Sequence, residues 1–435
     1  MQWTKLLNGN RFGDQKQEQT TDIRSQFQRD YDRLVFSPEF RKLQSKTQVF
    51  PLPGEIFVHN RLTHSLEVAS VGKSIASLVT EFIIKKSKTP AILLNEIPTV
   101  VATACLAHDI GNPPFGHSGE DAISSYFLDG EGQRFQNDFS ITEWTDLTRF
   151  EGNANVLRLL THQYSGRRAG GFALTYASLA SMIKYPYPST KNKKKYGYFN
   201  TEEHTFNKII EACALNKNGK TIRHPLVFLV EAADDISYLI MDIEDAHRLD
   251  ILTTEHVFEY LLPFVATDAK QLQRFNEQSI NLSDEEKIAY LRSLTINILV
   301  KECANIFIKY YNDIMIGELE TSLASLLPAQ IKPLLNNCQK LGQNKIYTDE
   351  GVRKLEISGH KVLTTLIRTY IEAALSPHKY YSKLLISTIP PIFNPSGSFY
   401  NKVRLITDYI SSMTDTQAVK LYRELMGIDI PQRTQ

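Results

Sequence analysis

The chain has 435 residues, 42% hydrophobic and 22% charged, which are globular proportions that exclude a mostly disordered or fibrous protein. Lys and Arg total 49 against 48 Asp and Glu, a formal net charge of +1, so no global basic field steers it to nucleic acid and only a local patch can. The length suits one large domain or two ordinary ones.

The N-terminus, MQWTKLLNGNRFGDQKQEQ, carries no apolar signal core. Gln48 to Pro51 reads as a short extended piece. Leu62, Leu66, Ala69 and Ile75 to Leu78 suit one buried helical stripe. Ile97 to Asp109 reads as an apolar helix, and its longest apolar run, Thr99 to Ala107, is about half a membrane span. Turn-forming residues cluster at 111–119, 130–132, 165–171, 185–197 and 390–398. Leu226 to Leu249 predicts a long helix with a polar stripe. Ser283 to Ile316 predicts another, with Ser283 as cap and Glu286 three residues on. Lys345 to Leu355 is a second candidate extended piece, while Gly359 to Leu375 and Thr416 to Met426 read as helices. Cys105, Cys213, Cys303 and Cys338 are far apart and form no C-x-x-C pair, so reduced core thiols are expected. These patterns predict an almost all-α, soluble, cytoplasmic protein. We divide it into a core over 1–255 and a helical C-terminal region over 256–435. The stretch 255–343 is poor in motifs and reads as a helical appendage.

Two places concentrate chemistry. His108 and Asp109 end an apolar helix at Gly111-Asn112-Pro113-Pro114. Mid-helix, adjacent side chains point about 100° apart, but at a terminus the backbone can bend so that both converge. An imidazole nitrogen and a carboxylate oxygen then form a mixed donor set suited to a divalent metal. The second place is Asp234-Asp235 within an otherwise apolar run. Buried carboxylates are costly unless paired or metal-bound. Asp234, Tyr238 and Asp242 follow i, i+4, i+8 spacing and share one helix face. Only Asp234, not Asp235, puts that tyrosine and aspartate one and two turns later.

With His64 in N-R-L-T-H-S-L-E, these residues read H…HD…D, which resembles the HD superfamily of metal-dependent phosphohydrolases. Further blocks resemble its deoxyguanosine triphosphate triphosphohydrolases (dGTPases). They are T-Q-V-F-P from Thr47, H-D-I-G-N-P-P-F-G-H-S-G-E from His108, F-E-G-N-A from Phe150, K-Y-P from Lys184, R-H-P-L from Arg223, E-A-A-D-D-I-S-Y from Glu231 and D-Y-I-S-S-M-T-D from Asp408. The blocks run in family order over nearly the whole chain.

The resemblance implies an all-α HD core with additional C-terminal helices and one divalent metal per subunit, most simply Mn²⁺ or Mg²⁺, with Fe, Co, Ni or Zn as alternatives. Carried over motif by motif, the metal ligands are His64, His108, Asp109 and Asp234, and Asp235 orients one of them. His117 and Glu120 resemble the family's catalytic His–Glu pair. Tyr238 and Asp242 read the deoxyribose. Gln48, Val49 and Asn153 line the sugar and base. Arg61, Asn112, Lys184, Tyr185, one lysine of the 191–195 run (best matched by Lys195) and Arg404 face the phosphates. The implied reaction is water attack on the α-phosphorus of dGTP, giving deoxyguanosine and inorganic triphosphate. A broader dNTP triphosphohydrolase is the nearest alternative, and a hydrolase of another phosphate ester or a nucleotide-sensing, nucleic-acid-binding HD protein is further off. The resemblance also implies a homo-oligomer, a hexamer by analogy, single-stranded DNA as a possible effector, and no membrane. Departures from the commonest pattern fall at Asn155, at 165–171 and at Ser411-Ser412, and bear on guanine selectivity and regulation.

Overall fold

A computed structural model describes residues 1–14, 23–50, 58–191 and 193–430. Among these residues the architecture is helical throughout. The exception is a two-stranded hairpin, Asn216–Lys217 with Lys220–Thr221. Its turn is Asn218-Gly219, both at positive φ (52° and 77°), the primed geometry that Asn-Gly favours and a signal the sequence reading passed over. Among the described residues no helix is long and apolar enough to cross a membrane.

The Arg61–Lys86 helix is the central strut, packing against Ile97–Ala107, Val227–Arg248 and Asp284–Lys309. Asn60 and Thr63 close a capping box at its start. Its buried stripe runs His64, Val68, Val71, Ile75, Val79. Leu66 and Leu78, expected on that stripe, are exposed instead: the 3.6-residue period through His64 places Leu66 on the opposite side, and Leu78 lies at the edge of the stripe. Gly72 allows the strut to approach the Ile97–Ala107 helix closely, since a Cβ there would lie 2.6 Å from Cys105 Sγ. That approach brings His64 and His108 together.

The Ile97–Ala107 helix stops just before His108. Ser283 caps Asp284–Lys309 in a reciprocal box with Glu286, and the run to Ile316 breaks at Tyr310 into a second short helix, Tyr311–Ile316. The 255–343 stretch thus supplies a helix that buttresses the two helices carrying His64 and Asp234. The expected extended piece at Lys345 to Leu355 is helical. A wide turn covers Gly342–Ile346, and Asp349 caps Glu350–Leu375, where Val352, Leu355, Gly359 and Val362 recur at helical spacing. Around Gln48 only Thr47 pairs as a strand, in an isolated bridge to Asn60, and Pro51 lies outside the described residues. The Glu350–Leu375 helix packs on Gly116–Leu128, Phe399–Ser411 and Asp415–Leu425, closing the C-terminal region over the helix that carries His117.

Candidate active site

A cavity of about 490 Å³ opens where these helices meet. Gln48, Val49, Arg61, His64, Asp109, His117, Asp234 and Tyr238 line it, eight of the residues expected from the sequence. The donor atoms of His64, His108 and Asp109 lie within 4.8 Å of one another. Asp234 Oδ1 stands 3.4 Å from His64 Nε2 and 3.5 Å from His108 Nε2.

The orientation of His108 is set from behind. Its Nδ1 lies 2.6 Å from the Cys105 carbonyl, which can only accept, so the proton is on Nδ1 and Nε2 turns toward the carboxylates. That buried Nε2 has no hydrogen-bond partner. Burial opposes charge on His108, but Asp109 and Asp234 raise it to about 9, so the field at this point favours positive charge. Burial likewise opposes ionisation of Asp109. The Arg61 guanidinium at 2.8 Å and the two imidazoles nevertheless bring it down to about 2. Asp234 is held well below the carboxylate range, against burial, by His108, His64 and Lys184. An inward imidazole lone pair, a second histidine and two ionised carboxylates around one point fit a divalent cation. Asn112 donates to Asp109 Oδ1 at 2.5 Å, fixing that carboxylate from the side. Asp235, the next residue on the helix, also lines the cavity. Burial, with Lys184 opposing, raises it to about 7.

A second cluster adjoins the cavity, which His117 alone of its members lines. His117 is depressed below its ordinary value by burial, then by Lys195 and Arg61, which favours its neutral form. Among the described residues no hydrogen bond joins it to Glu120. Glu120 instead accepts the Gly152 N–H at 2.8 Å and lies 3.6 Å from Lys195 Nζ. Lys195 also meets Glu151 at 3.1 Å, and Glu151 accepts the Asn153 side chain at 2.6 Å. Burial and the neighbouring Glu151 carboxylate push Glu120 up. Asn153 therefore braces this cluster from the cap of the Gly152–Thr161 helix.

Asp234 and Tyr238 form a third side of the cavity, and Asp242, one turn beyond Tyr238, is buried and outside its lining. Tyr347 stacks on Tyr238 at 5.9 Å and donates its hydroxyl to Asp242 at 2.7 Å. Tyr347 was not legible as a site residue, since it lies in a stretch with no motif and reaches the cavity only through tertiary packing. Phe115 and Ser118, inside the His108–Glu120 block, also line the cavity, as do Val352 and Glu356, which no sequence signal marked.

Lys184 Nζ stands 3.8 Å from Asp234 Oδ2. With Tyr185 it lines a neighbouring cleft of about 580 Å³ rather than the main cavity. Arg404, expected at the phosphates, lies in neither. It is 1% exposed, stacks over Phe199 at 4.0 Å, and none of its side-chain nitrogens has a partner.

Comparison with known proteins agrees with this geometry. The HD domain model matches residues 61–160, which contain His64, His108, Asp109, His117 and Glu120. The phosphohydrolase-associated domain model matches 327–424, which contains Tyr347 and Arg404. The helical fold and its metal-type cluster thus define an HD-domain phosphohydrolase. The chain is 38% identical to a deoxyguanosinetriphosphate triphosphohydrolase-like protein of Synechocystis, over 99% of this chain and 100% of that one. A protein of that name from Listeria monocytogenes is 34% identical, over 98% and 100%. A deoxyguanosinetriphosphate triphosphohydrolase of Yersinia pestis is 29% identical, over 95% and 96%. The chain belongs to the deoxyguanosinetriphosphate triphosphohydrolase-like family.

Proposed function

We propose that the protein hydrolyses deoxynucleoside triphosphates, dGTP foremost, to the deoxynucleoside and inorganic triphosphate. One observation carries the reading: a cation-type cluster and a neutral histidine share a cavity with the stacked Tyr238–Tyr347 pair. His64, His108, Asp109 and Asp234 would hold the divalent ion, most simply Mn²⁺ or Mg²⁺, which when bound polarises the α-phosphate. Arg61, Lys184 and Lys195 are the cations within reach of the phosphate chain, and Arg61 can fork onto two oxygens. His117, whose neutral form is favoured by burial and by Lys195 and Arg61, accepts a proton from the attacking water. The α-phosphorus gains that oxygen and loses the bond to O5′. O5′ takes up a proton and leaves as the nucleoside hydroxyl, and the phosphates depart as triphosphate.

Tyr238 and Tyr347 make a flat wall beside the sugar, and Asp242 offers its carboxyl to the 3′-hydroxyl. A ring packed where a 2′-hydroxyl would sit disfavours ribonucleotides by sterics. Each dNTP and GTP, incubated with Mn²⁺ or Mg²⁺ and resolved by chromatography, tests the reading. Deoxyguanosine and triphosphate from dGTP, with little product from GTP, is the expected outcome. Product from every dNTP would broaden the substrate class. No product from any, alone, mixed or with single-stranded DNA, would refute the reaction and favour a sensing role.

A further inference from the structure

We infer that Asp415, in the C-terminal region and outside the cavity lining, is a positioning residue that sets the gap between two walls of the active-site cavity. The inference rests on the reaction proposed above.

Asp415 opens the Asp415–Leu425 helix and is buried. Its Oδ2 accepts the Thr47 N–H at 2.8 Å, and its Oδ1 accepts the Phe115 N–H at 3.0 Å. Thr47 leads the Thr47-Gln48-Val49 wall, and Phe115 stands two residues before His117. All five of these residues line the cavity. One carboxylate thus ties together two segments that are remote in sequence and both line the cavity. Two acceptor oxygens meeting two amides is a match only a carboxylate makes in this volume.

Phe115 requires such support. It adopts φ 63° and ψ 15°, left-handed values that a bulky residue rarely takes and that persist only where the surroundings over-determine them. Asp415 supplies one constraint. The Glu350–Leu375 helix supplies the other through Gly359, where a Cβ would lie 2.6 Å from Phe115 Cγ. Lys46, the residue before Thr47, adds a parallel tie. It is buried and donates to the carbonyls of Asn112 at 2.5 Å and Ser411 at 3.0 Å. The turn after Asp109, the Gln48 wall and the start of the His117 helix are therefore all referenced to residues 411–415. A shift of about 1 Å in a positioned group can cost roughly a hundredfold in rate, so loosening this reference should appear in turnover.

The test uses the full-length, metal-loaded enzyme with dGTP. Asp415→Asn keeps the shape but must set an N–H against a backbone N–H at one of the two amides. We expect kcat to fall at least tenfold, bound metal per chain to stay at the wild-type level, and KM to change less than kcat. Gln417→Ala is the control. Gln417 Oε1 accepts the Thr414 N–H at 3.0 Å, so this variant loosens the same helix start without touching Thr47 or Phe115. It should keep wild-type kcat per folded molecule. Gly359→Ala presses on the Phe115 ring while favouring its own helix, and should reproduce the fall in kcat even where Asp415→Asn does not fold. Wild-type kcat in Asp415→Asn or in Gly359→Ala overturns the inference. So does an equal loss per folded molecule in Gln417→Ala and Asp415→Asn. A wild-type enzyme inactive on all dNTPs would refute the reaction itself, a distinct failure.

Discussion

Asp242 closes the sugar-facing helix stripe, and replacing it by asparagine measures what its burial costs. Burial, reinforced by Asp245 and opposed by the Tyr347 hydroxyl, lifts its carboxyl from 3.8 to about 8. A group that binds its proton more tightly in the native chain contributes stability that is complete below 3.8 and is lost as pH rises through about 8. Between those values the loss is about 1.4 kcal/mol per pH unit, or about 3 kcal/mol from pH 5 to pH 7. Asp242→Asn has nearly the same shape and keeps an acceptor for Tyr347, but has no proton to lose. The variant should therefore gain about 3 kcal/mol on the wild type between pH 5 and pH 7. Urea denaturation followed by circular dichroism at pH 5, 6 and 7, at one fixed metal concentration, reads the difference. Parallel profiles for the two proteins would refute the assignment of a strained, buried carboxyl. The same variant should bind dGTP more weakly, and unchanged affinity would remove Asp242 from the sugar contact.

Asp234→Ala should abolish metal retention, because it deletes the carboxylate nearest both histidines, and normal metal content in the purified variant would sink that ligand assignment. His117→Ala should keep metal and nucleotide yet lose roughly 10²–10⁴ in turnover, the usual reach of one general acid–base group. Unchanged single-turnover rates would exclude it. Tyr347→Phe keeps the stack on Tyr238 but loses the donor to Asp242. With Asp242 protonated near pH 7 this is a neutral hydrogen bond, worth about 0.5–1.5 kcal/mol, so KM for dGTP should rise about two- to tenfold. An unchanged KM and an unchanged dGTP-over-GTP preference would show that the hydroxyl does not shape the sugar site.

Some of this protein was determined locally and could be read from the chain. Helix periodicity at 3.6 residues, the Ser283–Glu286 box and the Gly-Asn-Pro-Pro stop after Asp109 act within a few residues of themselves. They specify helices and ends without reference to the rest of the fold. The spacing of Asp234, Tyr238 and Asp242 places them on one face whatever packs against it. Tertiary structure alone decided the rest. Nothing near Tyr347 marks it for a cavity, and its value lies in reaching Tyr238 and Asp242 from a helix turn about a hundred residues away. Arg404 shows the converse. Its motif context pointed to phosphate, but the Phe399–Ser411 helix turns it inward over Phe199. Asp415 became meaningful only when Thr47 and Phe115 met on its two oxygens. Periodicity states which face of a helix is apolar; which polar groups converge across several helices depends on close approach and orientation, and those are properties of the packed whole.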